Sequence, residues 1–161
     1  MLYLLDANTL IRANNEYYPI DRIPGFWTWL IDCGKAGNVK IPQEIAAEIT
    51  AGKDAVSDWL KDSDVKTAMV LAEKADVSRV RKVIADGYSP NLDDVALQRI
   101  GRDPFLIAYA LGRDDRTVVT KEYSAPSAAP QNRKIPDACD RCKVRWLSAF
   151  AFYKEADFRL P

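Results

Sequence analysis

Near its start the chain reads Leu2-Tyr3-Leu4-Leu5-Asp6-Ala7-Asn8-Thr9, an unbroken apolar run that stops at an acid. A short apolar run bounded by a polar turn has the pattern of a strand buried on both faces, as in parallel sheets. Thr117-Val118-Val119-Thr120, rich in β-branched residues, reads the same way and stops at Lys121-Glu122. Val39-Lys40-Ile41 supplies a brief second strand, and Lys143 to Leu147 a last one.

Helical spacing fills the intervals. Phe26, Trp29, Leu30 and Cys33 share one face, and Gln43 to Thr50 follows Pro42, which sits where a helix takes its first residue. From Asp54 to Ile100 only helical spacing occurs, with Val77, Val80, Val83 and Ile84 on one face and a break near Gly87 to Asn91. Asp103-Pro104 is a helix start, an acid able to cap and a proline preset for the first turn, and Phe105 to Leu111 continues it to Gly112. Ser124 to Asn132, biased to Ser, Ala and Pro, reads as a mobile loop, and a closing helix runs through Ala149, Phe150 and Tyr153. Strands alternating with helices predict an α/β fold, a three-layer α/β/α sandwich around a mostly parallel sheet of roughly four to five strands, in a single domain over residues 1–161.

Composition narrows the chemistry. With 161 residues, 48% of them hydrophobic and 29% charged, the chain suits one globular domain. No apolar run approaches the roughly 20 residues that cross a bilayer, and no basic leader precedes Asp6, so a cytoplasmic protein without membrane contact is expected. Cys33, Cys139 and Cys142 make an odd count that predicts reduced thiols. The Cys139–Cys142 pair has zinc-knuckle spacing but no second pair, and the chain has no histidine, so it is read as incidental loop cysteines. The lack of histidine also removes Ser-His-Asp and Cys-His triads and paired-histidine ribonuclease chemistry. Basic and acidic residues balance at 23 each, so no global field gathers polyanions and local patches must do so.

Parallel sheets bind ligands outside the carboxyl ends of their strands. Asp6 and Glu122 close strands there, Glu48 lies in the helix after the second strand, and Asp103 opens the helix that feeds the third. Clustered carboxylates raise one another's pKa and usually need a hard cation among them, and Mg2+ or Mn2+ suits oxygen ligands. Singly, each acid has an ordinary role: Asp103 as a cap, Glu48 as a solvated helical residue, Glu122 as a loop charge. Asp6 resists that treatment, because a carboxylate at the edge of an apolar strand is costly without a partner.

The run Leu4-Leu5-Asp6-Ala7-Asn8-Thr9-Leu10-Ile11 resembles the opening of PIN domains. Ile41-Pro42-Gln43-Glu44-Ile45-Ala46-Ala47-Glu48-Ile49 resembles their second motif, Gly101-Arg102-Asp103-Pro104-Phe105-Leu106-Ile107-Ala108-Tyr109-Ala110 the third, and Thr117 to Glu122 the fourth, usually Thr-x-Asp. The likeness covers nearly the whole chain in family order, and Tyr17 to Trp29 resembles a particular uncharacterised bacterial and archaeal branch. It implies a metal-dependent (Mg2+ or Mn2+) endoribonuclease acting on RNA, the toxin of a toxin–antitoxin pair, with an antitoxin protein as partner and a homodimer as assembly. By position Asp6, Glu48, Asp103 and Glu122 would be the catalytic, metal-binding acids, with Asn8 and Thr120 orienting them. Glu122 departs from the commoner Asp, and Glu44 and Asp54 stand in reserve should Glu48 point away. Arg12, Arg102 and Lys121 would hold phosphates near the site, and Arg133, Lys134, Arg141, Lys143 and Arg145 the RNA backbone further out.

Two other readings compete. An aspartyl-nucleophile phosphatase would use Asp6 and Thr120, but Asn8 stands where its general acid belongs and no acidic pair follows a Gly-flanked strand downstream. A PIN-like fold that has lost activity would serve as a binding module.

Overall fold

The computed structural model describes residues 1–160. Leu2–Leu5 forms β1, Val39–Lys40 β2, Arg116–Thr120 β3 and Trp146–Ser148 β4, in the order β2-β1-β3-β4 with every pairing parallel. The two apolar runs become the two central strands, and all five residues of β3 are buried. Ile41 extends the β2 edge through a parallel bridge to Val70, the rudiment of a fifth strand.

Among the described residues ten α-helices surround the sheet in an α/β/α sandwich. In chain order they are α1 (Ala7–Arg12), α2 (Pro24–Lys35), α3 (Gln43–Thr50), α4 (Ala55–Lys61), α5 (Ser63–Met69), α6 (Val77–Val83), α7 (Asp94–Ile100), α8 (Asp103–Ala108), α9 (Ile135–Cys142) and α10 (Ala149–Glu155). The starts follow local chemistry. Asp54, Asp62, Asp76, Asp93 and Ser148 each cap the helix that follows by accepting backbone N–H bonds, and Pro24, Pro104 and Pro136 lie in first turns where a missing N–H costs nothing. One face of α2 buries Phe26, Trp27 and Leu30, and Phe26 stacks on Tyr18 with centroids 4.4 Å apart. Trp29 continues this aromatic layer onto Phe152 of α10 and onto Phe158. At Gly34 a Cβ would lie 2.7 Å from the Ala68 carbonyl, so α2 and α5 meet at a distance only glycine allows.

Four local expectations change. The segment after Asp6 is not a turn: α1 starts at Ala7 and runs into a π-helical turn, Ala13–Tyr17. Val77 is 60% exposed, because α6 is only seven residues long and its first turn overhangs the core. The last strand is Trp146–Ser148 rather than Lys143 to Leu147, since Lys143 takes a left-handed φ of 56° to end α9. That helix also places Cys139 and Cys142 on a helix instead of a loop, with Cys139 fully buried.

Candidate active site

Register brings the first two site residues together. Leu5 pairs with Val119, so the next residues along, Asp6 and Thr120, stand side by side at the carboxyl ends of the central strands. The Asp6 N–H donates to the Val119 carbonyl at 3.0 Å, and the Asp6 carbonyl accepts from the Thr9 N–H at 3.1 Å. Its carboxylate, 3% exposed, accepts the Thr120 hydroxyl at 3.1 Å through Oδ2. The same Thr120 oxygen accepts the Glu122 N–H at 3.1 Å, so one hydroxyl orders both Asp6 and the turn that carries Glu122.

Asp103 reaches this end as the first residue of α8. Burial pushes Asp6 up to about 7, with the charges of Glu122 and then Glu48 adding to the rise and the Thr120 hydroxyl opposing it. Burial likewise pushes Asp103 up to about 8, reinforced by Asp6, Glu122 and Glu48 in turn and countered by Lys134. The four acids thus share one electrostatic neighbourhood. Among the described residues Asp103 makes no ion pair within 4.0 Å and accepts no side-chain or capping hydrogen bond.

They are not equivalent. Glu48 is exposed on α3, at the rim. Glu122 Oε2 accepts the Ile135 N–H at 2.8 Å, so this carboxylate caps the first turn of α9. The reserve acids are committed elsewhere. Glu44 accepts the Tyr109 hydroxyl at 3.1 Å while its carbonyl accepts from Arg102 at 2.6 Å, and Asp54 caps α4 through the Ser57 N–H at 2.8 Å. Among the described residues no group of three or more acids, cysteines or histidines is arranged to hold a metal ion. Of the four expected acids Asp6 is buried, Asp103 half-buried and Glu48 exposed, while Glu122 is bonded to the start of α9.

A comparison with known protein families matches residues 3–160 to a domain of unknown function (DUF4411). The chain belongs to the DUF4411 family. No curated protein and no solved structure matches it.

Around the acids of this DUF4411 domain the basic residues sort differently from their expected roles. Arg102 is spent on the Glu44 carbonyl, Arg133 on the carbonyls of Gly87 and Tyr88, and Arg141 on that of Asp86. Arg145 pairs with Glu155 at 2.7 Å and donates to the Thr117 hydroxyl at 2.8 Å, at the amino end of β3. It and the neighbouring Lys143 lie at the end of the sheet opposite the acids. Lys134 moves inward, to the start of α9 beside Asp103 and Glu122.

A cavity of about 310 Å3 adjoins Glu122, lined also by Asn8, Arg12, Lys121, Tyr123 and Lys134. Asn8 is exposed there, at the mouth rather than against Asp6. Lys121 is 7% exposed, with its ammonium 4.1 Å from the Phe150 ring centre and 4.9 Å from that of Tyr17. Sequence reasoning passed over Tyr123, which carries no motif, and Asp137. Asp137 accepts both the Ser124 hydroxyl and the Ala125 N–H, so the loop read as mobile is anchored at its start. It also passed over Tyr88, whose buried hydroxyl has no partner among the described residues and whose pKa is raised by burial and then by Asp103.

Proposed function

We propose that this chain is a metal-dependent endoribonuclease of PIN type. The observation that carries the reading is the pair Asp6 and Asp103, a buried and a half-buried carboxylate lifted to about 7 and about 8 by burial first and by neighbouring acids second, at the end of a parallel sheet where substrates bind. Such a pair is costly at neutral pH unless a cation offsets it. Mg2+ commonly takes only one or two carboxylates and completes its shell with water and phosphate oxygens, so two such acids without a third suit it better than an all-protein cage would. Mn2+ suits the same oxygen donors. When bound, such an ion supplies the positive charge that polarises water and a phosphodiester.

The protein's own groups do the rest. Thr120 fixes the orientation of Asp6, Asp103 offers a carboxylate with no competing hydrogen bond, and Glu48 stands at the rim where solvent and substrate meet. Lys134 brings a cation to the phosphate side of Asp103. With no histidine in the chain, proton transfers fall to carboxylates and water. The PIN resemblance adds an antitoxin partner and a homodimer to the same reading, and the composition adds a cytoplasmic setting. Among the described residues no helix is long and apolar enough to cross a membrane.

The test is cleavage of a defined RNA panel with Mg2+ or Mn2+, comparing the native protein with Asp6→Asn. Cleavage that needs the ion and falls at least about 100-fold in the variant, as for loss of a group acting in the transition state, is the expected result. Intact RNA across the panel would leave the chain as a binding module. Beryllium fluoride trapping at Asp6 would favour the phosphatase.

A further inference from the structure

The cavity beside Glu122 combines features that acid-dependent cleavage does not require. Lys121 is a buried ammonium with no carboxylate within 4.0 Å among the described residues. The rings of Phe150 and Tyr17 stabilise it in part, but buried charges ordinarily have an ionic partner. An anion entering the cavity would complete its surroundings. Arg12, leaning on Glu16 at 2.7 Å, and the exposed Lys134 line the same cavity and add positive charge to it.

Tyr123, 73% exposed, lines the cavity as well. A phenol ring left in water beside three cations offers a flat face to an unstacked base. The volume, about 310 Å3, falls at the lower end of the roughly 300–1,000 Å3 typical of ligand pockets. A base held within a duplex is already stacked on both faces and cannot lie on Tyr123, so the geometry selects single strands.

We propose that this cavity binds one nucleotide of single-stranded RNA, its phosphate against Lys121 and its base stacked on Tyr123, next to the bond presented to Asp6 and Asp103. The inference rests on the ribonuclease reading only for that last placement. Binding itself stands on the cavity.

The experiment is fluorescence anisotropy of a labelled oligoribonucleotide, as a single strand and as a duplex, with EDTA present so that cleavage plays no part. The native protein should bind the single strand in preference to the duplex. Tyr123→Ala should weaken single-strand binding about tenfold or more, and Tyr123→Phe should restore it. Lys121→Met should lower the slope of log affinity against log salt by about 1. Because Lys121 is buried, that variant is first checked for folding, and the Tyr123 pair reports on the same cavity if it fails. Equal binding of duplex and single strand, or Tyr123→Ala binding like the native protein, overturns the inference. Tyr123-dependent binding without any cleavage once Mg2+ is supplied keeps the inference and refutes the ribonuclease reading.

Discussion

Thr120 does two things with one hydroxyl: it donates to Asp6 Oδ2 and accepts the Glu122 N–H. Thr120→Val preserves shape and removes both bonds, leaving a buried carboxylate one donor short and the Glu122 N–H without its acceptor. We expect it to destabilise the protein by about 1–3 kcal/mol in urea unfolding and to raise the Asp6 pKa beyond its already elevated value, since the hydroxyl is what holds it down. Thr120→Ser should recover most of both, and a Val variant as stable as the native protein would show that the hydroxyl contributes nothing. At this scale the sequence was informative about Asp6, because an acid directly after an apolar strand leaves few roles open. It was silent about Glu122. The amide that Glu122 caps belongs to Ile135, and no local pattern links those two positions.

Among the elements, α9 was the least legible and is the most consequential. Ile135-Pro136-Asp137 carries a usable start signal, but the apolar residues at Val144 and Leu147 drew the reading towards an early strand. The central strands were legible because burial on both faces demands continuous apolar runs, whereas Val77 misled because a short helix can keep apolar spacing past the edge of the core. Glu44 and Glu48, one turn apart on α3, show the same limit. Spacing cannot tell which acid meets Tyr109 and which faces the site. With α9 in place, Glu122 gains a testable structural role. Glu122→Ala should cost about 0.5–2 kcal/mol, as loss of a helix cap does, while Glu122→Gln keeps an acceptor oxygen and should stay near native stability. Cleavage that survives in Glu122→Gln would place this residue outside the ion's ligands; its loss without any change in stability would place it among them.

For the molecule as a whole, the two raised carboxylates set a pH dependence. Asp6 and Asp103 have an ordinary value of 3.8 and lie at about 7 and about 8 when folded. Between those values the folded state holds protons that the unfolded chain has released, so metal-free stability must fall as pH rises from about 4 towards 8. Unfolding by urea in EDTA should give a lower midpoint at pH 8 than at pH 5. Mg2+ should restore part of the difference, and Asp6→Asn, which carries no charge to bury, should reduce it to what Asp103 alone contributes. A midpoint indifferent to pH in the native protein would remove the electrostatic basis of the site. The sheet edge has a separate consequence. The chain leaves β2 at Ile41 and returns to that residue, whose N–H donates to the Met69 carbonyl at 2.7 Å and whose carbonyl accepts from Leu71 at 2.9 Å. Helices α3 to α5 therefore form an excursion whose two ends are joined by these two hydrogen bonds. Extra residues grafted into the connection between α3 and α4, at the exposed Lys53, would lengthen the excursion without breaking that closure. Grafted between β1 and α1, they would separate Asp6 from Thr120.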